Sequence, residues 1–201
     1  MDRKTAAILM FALLAACSGG QPAQQAAAPA PPPGPAPGSN EWKIQSAMSA
    51  GPAEIARAAA IMDYPTTPTG QPTQIRAGTN GWTCLPDMPD TPDPDPICVD
   101  GQWMNWFGAW MGHKSPHTTA VGLSYMLMGA DDASNTDAFK MKPDSGQQWI
   151  HSGPHMMIIS PGNNYAGLPT TPQANMPFVM FAGTPYAHIM APVPAPASHT
   201  M

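Results

Sequence analysis

Charged residues are scarce in this sequence. Of 201 residues, 8 are Lys or Arg and 13 are Asp or Glu, a charged fraction of 10%, whereas a globular protein usually has about a quarter. The net charge is −5 and the basic residues are not clustered. These properties exclude a nucleic-acid-binding protein that uses a basic patch, because no grouped cations could displace the counterions of the phosphates.

Recognisable catalytic motifs are also lacking. The sequence contains no G-x-S-x-G nucleophile elbow, no P-loop and no dinucleotide-binding glycine fingerprint. Ser134, Asp137 and His155 supply the residue types of a hydrolase triad, but no motif surrounds them. The sequence therefore favours a protein that is not an enzyme, and a tethered hydrolase is the remaining enzymatic alternative.

Proline, glycine and methionine are abundant, with 27, 18 and 16 residues. This Pro and Gly content falls just short of the range that indicates disorder throughout a chain. A hydrophobic fraction of 43% supplies enough apolar side chains for a core, and all six Trp and all four Tyr lie within 41–193. We therefore predict a single globular domain over 41–193, a length typical of one domain.

The N-terminus has the pattern of a signal peptide. Arg3 and Lys4 precede an apolar stretch over 6–16. A helix of about eleven residues would span about 16 Å, roughly half the hydrocarbon thickness of a bilayer. The length therefore favours a cleaved signal over a transmembrane anchor.

The signal ends in LAAC at 14–17, which resembles the lipobox of bacterial lipoproteins. The resemblance implies cleavage before Cys17, acylation of this cysteine and anchoring to the membrane through its lipid, for which several acyl chains suffice. Ser18 occupies the position where Asp often implies retention in the inner membrane, so the periplasmic face of the outer membrane is expected in a Gram-negative cell. A plain secretory signal with a chance cysteine is the alternative.

Segments that cannot fold flank the predicted domain. Residues 18–40 contain seven prolines and no charge, and they cannot bury enough apolar surface to offset the entropy of ordering. We expect an extended tether there and a disordered tail at the C-terminus. The predicted division is 1–16 signal peptide, 17–40 lipidated cysteine and tether, 41–193 globular domain and 194–201 tail.

Hydrophobic patterning predicts an α+β fold with helices early in the domain and a mainly antiparallel sheet. Helices are predicted at 41–48, 52–63 and 102–111. Strands are predicted at 121–128, 149–151, 155–160, 178–181 and 186–193. The third helix places Trp103, Trp106 and Trp110 on one face, a spacing typical of core packing, and a recognition surface is the alternative.

Cys84 and Cys98 are predicted to form a disulfide. They are the cysteines that remain once Cys17 is lipidated, and exported domains commonly pair such thiols. A loop of this length would contribute about 3 kcal/mol in the chain-entropy model. The alternative, free thiols acting in catalysis or metal binding, lacks C-x-x-C spacing.

The enclosed loop is rich in aspartate. Asp87, Asp90, Asp93 and Asp95 alternate there with prolines. Oxygen ligands at such spacing can hold Ca²⁺, but the prolines oppose the curvature that a calcium loop requires. A rigid acidic surface is therefore the favoured interpretation and a calcium site the alternative.

Two H-x-M segments provide the most specific chemical signal. His155 and Met157 lie in one predicted strand, and His188 and Met190 lie in another. Residues i and i+2 of a strand point to the same face, so two adjacent strands would present two imidazoles and two thioethers together. Such soft ligands suit Cu(I). The motif resembles those of periplasmic copper chaperones, which have a further methionine at an intermediate spacing, and core packing of methionine is the alternative.

Several longer segments resemble a family of uncharacterised bacterial exported proteins. They are GTNGWTC at 78–84, CVD at 98–100, YMLMG at 125–129, ASNTD at 133–137, GPHMMI at 153–158 and GTPYAHIMAPV at 183–193. The resemblance covers most of 41–193 and implies the domain boundaries without implying an activity.

These observations predict a lipid-anchored protein of the cell envelope that acts as a binding or envelope-associated module. The second hypothesis is a Cu(I)-binding lipoprotein that uses the H-x-M segments. The expected contact of the chain is the membrane, through Cys17, and no nucleic acid is expected.

Overall fold

A computed structural model describes residues 34–67, 70–88, 90–173 and 175–194. The predicted signal peptide, Cys17, most of the tether and nearly all of the tail lie outside these residues. Within the described ranges the longest helix has 11 residues, and none combines the length and apolar character needed to span a membrane.

The fold is α+β, as predicted. Its helices are α1 (Asn40–Ser49), α2 (Ala53–Ala56) and α3 (Gly101–Met111), with one 3₁₀ turn at Pro161–Asn163. Its strands are β1 (Ala60–Asp63), β2 (Thr73–Arg76), β3 (Thr83–Leu85), β4 (Ile97–Val99), β5 (Gly122–Met126), β6 (Ala130–Asp132), β7 (Ile150–Ser152), β8 (His155–Ile159), β9 (Phe178–Met180) and β10 (His188–Pro192).

Eight strands form one sheet in the order β2-β1-β3-β4-β5-β8-β10-β9, and β6 and β7 form a separate hairpin. Every pair in the large sheet is antiparallel except β1 with β3. The last four strands in this order are the ones that carry the candidate site.

Asp100 fixes α3 against this sheet. Its Oδ1 accepts the backbone N–H of Trp103 at 2.9 Å, which caps the helix, and its Oδ2 accepts the backbone N–H of Leu123 at 2.8 Å. The helix therefore packs on the sheet with Trp103 and Trp106 buried. Core packing, the favoured interpretation of the aromatic stripe, is confirmed for these two residues.

The predicted helix over 52–63 is wrong in its second half. The helix ends at Ala56, and Ala60–Asp63 form β1 between β2 and β3. Ile61 is fully buried opposite Cys84. Burial against the sheet therefore outweighs the helical propensity of the local alanines.

The predicted disulfide is present. Cys84 on β3 and Cys98 on β4 are directly opposite residues of the ladder, they are bonded, and both are fully buried. Helix α1 covers the bond, with Ala47 and Ala50 in the same apolar cluster.

Candidate metal centre

The two H-x-M segments lie on adjacent strands, which is the arrangement that the copper hypothesis requires. His155 and Met157 are on β8, His188 and Met190 are on β10, and Met157 is directly opposite Met190. Directly opposite residues point to the same face of a sheet. All four side chains therefore share one face, and each is at most 6% exposed.

Two more methionines complete this face. Met126 on β5 is directly opposite His155, and Met180 on β9 is directly opposite His188. We name the resulting set the His–Met face. Its members are Met126, His155, Met157, Met180, His188 and Met190.

Both imidazoles of the His–Met face are held in the same way. The Nδ1 of His155 lies 2.7 Å from the carbonyl oxygen of Gly153, and the Nδ1 of His188 lies 3.0 Å from that of Tyr186. A carbonyl oxygen only accepts, so each Nδ1 carries the proton and each Nε2 keeps its lone pair. Neither Nε2 has a hydrogen-bond partner among the described residues, although both are buried.

Burial keeps these imidazoles neutral. Loss of solvent lowers the pKa of His155, and it lowers the pKa of His188 to about 4 despite the hydrogen bond to Tyr186. The charge of a protonated His155 makes a smaller contribution to this lowering of the pKa of His188. Neutral imidazole is the form that binds metal ions.

Aromatic rings surround His188. The centroids of Trp103, Trp106 and Phe181 lie 5.3, 5.6 and 5.5 Å from that of His188, and each ring meets the imidazole at a steep angle. The aromatic helix α3 therefore forms the wall facing His188.

The His–Met face lines a cavity of about 190 Å³, together with Trp103 and Trp106. His155 and Met190 also line a second cleft, of about 390 Å³, whose rim includes His151. His151 is largely exposed, so an exposed imidazole and the buried His155 line the same cleft.

Carboxylates occupy another wall of the same cavity, contributed by Asp95, Asp131 and Asp132. Burial raises the pKa of Asp95 to about 6, and burial followed by the charges of Asp95 and Asp131 raises that of Asp132 to about 7. The Oδ2 of Asp132 is buried and has no hydrogen-bond partner in the described part of the chain. This wall gives the cavity a negative electrostatic potential above neutral pH.

The aspartate loop is organised by its own hydrogen bonds. Asp87 accepts the backbone N–H of Asp95, and Asp95 accepts from Thr91 and from the backbone of Met88. These hydrogen bonds tie Asp87 and Asp95 to each other within the loop, and the rigid acidic surface stays a prediction.

One carboxylate of the loop, Asp93, lies beside the β6–β7 hairpin. The Nδ1 of His151 is 3.3 Å from Asp93 and 3.1 Å from Asp131. Within the described ranges these three residues are the one group of at least three acidic, histidine or cysteine side chains whose ligand atoms are near enough to share an ion. The sequence alone does not indicate this set, because only the pairing of β6 with β7 places His151 opposite Asp131.

The residue types considered for a hydrolase are engaged elsewhere. Ser134 Oγ accepts the backbone N–H groups of Thr136 and Asp137, as is typical of a turn. Asp137 accepts the backbone N–H of Phe139, and His155 is bound to Gly153. The described contacts therefore do not link these side chains into a triad.

Four members of the His–Met face were predicted from the sequence, whereas Met126 and Met180 were not assigned to the histidines. The register of β5 on β8 and of β9 on β10 assigns these two to the histidines. No protein-family model matches the chain, and no curated protein or solved structure matches it.

Proposed function

We propose that this protein is an envelope-anchored lipoprotein whose domain binds Cu(I) on the His–Met face. One observation carries the proposal: two buried imidazoles each bind a backbone carbonyl through Nδ1 and leave Nε2 unpartnered in a cavity lined by methionine. A hydrogen bond from the second ring nitrogen to a carbonyl is the usual support of a metal-binding histidine.

The donor types favour a soft monovalent cation. Thioethers and neutral imidazoles carry no charge, so they bind Cu(I) well and compensate poorly for the desolvation of a divalent ion. Trp103 and Trp106 shield the His188 end from water. The carboxylates of Asp131 and Asp132 on the neighbouring wall supply a favourable potential for a cation without being needed as ligands.

The proposed location depends on the sequence. The apolar segment 6–16, the lipobox-like LAAC at 14–17 and the proline-rich tether support anchoring through Cys17 on the periplasmic face of the outer membrane. Replacing Cys17 with Ser should move the protein from the membrane fraction to the periplasmic fraction. Mass spectrometry of the native protein should find an acylated N-terminal peptide, and an unmodified one would contradict the anchor.

The binding proposal is tested on the chain with Cys17→Ser, which also removes a thiol that would compete for copper. Cu(I) is titrated against a chromophoric Cu(I) chelator. We expect the double variant His155→Ala, His188→Ala to lose at least 100-fold in affinity. The matched control is His113→Ala, His117→Ala, which replaces two exposed histidines and should retain the native affinity.

The outcome that would overturn the proposal is equal Cu(I) affinity in the native chain and the double variant. It would mean that the two imidazoles do not bind the ion. Circular dichroism of each variant separates loss of binding from loss of fold.

A further inference from the structure

We infer that the His–Met face holds two Cu(I) centres, each made of one histidine and two methionines. This inference rests on the proposed function and adds its stoichiometry and two ligands, Met126 and Met180. The first centre comprises His155, Met126 and Met157. The second centre comprises His188, Met180 and Met190.

The register of β8 on β10 separates the two histidines. His155 is opposite Pro192, so it lies four residues along the strands from the position of His188. Four residues of a strand span about 13 Å. A single ion bound by both rings would require their Nε2 atoms to be about 4 Å apart, because each Cu–N bond is near 2 Å. The methionine pair Met157 and Met190 lies between the rings, so each imidazole has thioether neighbours nearer than the other imidazole.

Each histidine has the same two neighbours. One methionine is directly across the ladder, Met126 for His155 and Met180 for His188, at a spacing of about 5 Å between Cβ atoms. The other is two residues further along the same strand, Met157 or Met190, about 7 Å away along the backbone. Methionine has three flexible side-chain torsions, so its sulfur can reach an ion at this range.

Local symmetry explains why the arrangement occurs twice. Antiparallel strands are related by an approximate two-fold axis, which here passes between Met157 and Met190. The same operation relates His155 to His188 and the outer strand β5 to the outer strand β9. Two H-x-M segments paired through their methionines therefore generate two equivalent donor sets when each outer strand also contributes a methionine. β5 contributes Met126 and β9 contributes Met180.

The surroundings of the two centres differ. Trp103 and Trp106 lie against His188, at 5.3 and 5.6 Å between ring centroids. His155 lines the cleft whose rim includes His151. We therefore expect Cu(I) at the His188 centre to quench tryptophan fluorescence, and Cu(I) at the His155 centre to leave most of it.

The experiment measures Cu(I) stoichiometry and tryptophan emission together on the full chain with Cys17→Ser. We expect two equivalents per native chain. The variant Met126→Leu, His155→Ala should bind one equivalent and keep the quenching. The variant Met180→Leu, His188→Ala should bind one equivalent and lose most of the quenching. The control Met128→Leu, His117→Ala changes exposed residues and should bind two equivalents.

Binding of one equivalent by the native chain, abolished equally by either paired variant, would overturn the two-centre inference while leaving the proposed Cu(I) function intact. Binding of two equivalents that neither paired variant reduces would also overturn it. Absence of Cu(I) binding by the native chain would overturn the proposed function and the inference with it. The conservative variants Met126→Leu and Met180→Leu, measured singly, preserve side-chain volume and should weaken only their own centre.

Discussion

Met157 on β8 lies directly opposite Met190 on β10, on the buried face of the sheet. This pair is the centre of the His–Met face, because a histidine lies two residues from each methionine on the same strand. The contact also belongs to the apolar core. The same side chains therefore contribute to packing and supply the proposed thioether ligands, and substitutions that preserve volume can separate the two roles.

The double variant Met157→Leu, Met190→Leu should fold and lose copper. Leucine replaces methionine at nearly constant volume, so the free energy of unfolding should change by less than about 1.5 kcal/mol per site. Cu(I) affinity should fall at least tenfold, because leucine has no sulfur. Chelator competition and urea unfolding measure the two effects. Met128→Leu, Met176→Leu, at exposed positions, is the control, and native affinity in the core variant would argue that these sulfurs do not bind copper.

His188 should make the metal-free protein less stable in acid. Burial lowers its pKa from 6.5 to about 4, so the unfolded chain binds a proton at pH values where the folded chain does not. Its contribution to stability is present above pH 6.5 and is lost as the pH falls through 6.5 toward 4. A shift of this size corresponds to about 3 kcal/mol.

This contribution is measured as a difference between two proteins. The measured quantity is the free energy of unfolding of the native chain minus that of the His188→Gln variant. It should fall by about 2–3 kcal/mol when the pH is lowered from 7 to 4.5. The same difference, measured between the native chain and the exposed-site variant His117→Gln, should not change with pH in this way. A difference that stays constant with pH would mean that His188 titrates normally.

Asp132 should have the opposite pH dependence. Its pKa is raised from 3.8 to about 7, so the stability that the neutral carboxyl allows is fully present below pH 3.8 and is lost as the pH rises through 7. Asp132→Asn should therefore stabilise the metal-free protein at pH 8, by about 2 kcal/mol. This value is about half of the free energy that corresponds to a pKa shift of this size. We halve it because Asp132 keeps some contact with solvent, which screens its charge.

The same Asp132→Asn substitution should have little effect on stability near pH 4, where the native carboxyl is itself neutral. Denaturant unfolding at pH 8 and pH 4 provides the measurement. Asp144→Asn, at an exposed carboxylate, is the matched control. A gain of the same size at both pH values would assign it to packing and not to charge.

Gly122 should not tolerate a side chain. A Cβ added to it would lie 2.7 Å from Cγ1 of Ile159 and 2.8 Å from Cβ of Gln102, because α3 approaches β5 closely there. Gly122→Ala should therefore lower the free energy of unfolding by about 1–3 kcal/mol. Gly108→Ala, inside α3 with open space around it, should raise it by about 0.5–1 kcal/mol. Thermal and urea unfolding of both variants test this contrast, and equal effects would contradict it.

The fold and the site could be predicted from the sequence to different depths. The helix over 102–111 was predictable because its aromatic residues repeat at helical spacing and Asp100 provides a cap. The H-x-M strands were predictable because their alternation places the histidine and methionine on one face. β3 and β4 were not predicted, because three residues between prolines or glycines give no periodic signal.

The register between paired strands could not be predicted from the sequence, for a different reason. Whether Met157 is opposite Met190 or opposite His188 depends on packing across strands that are distant along the chain, and a shift of one residue would reverse the faces. The assignment of Met126 to His155 depends on this register. The chemistry of each strand could therefore be predicted, whereas the partnership between strands required the structure.

The Cys84–Cys98 bond joins β3 to β4, so it connects the β2-β1-β3 portion of the sheet to β4 and, beyond it, to the four strands that carry the His–Met face. In an exported chain this bond forms only after the polypeptide has left the reducing cytosol. Before that point the ladder between β3 and β4 is not reinforced by a covalent bond. With the export proposed above, the precursor would be easier to keep unfolded for translocation, and oxidation would stabilise the domain only after translocation.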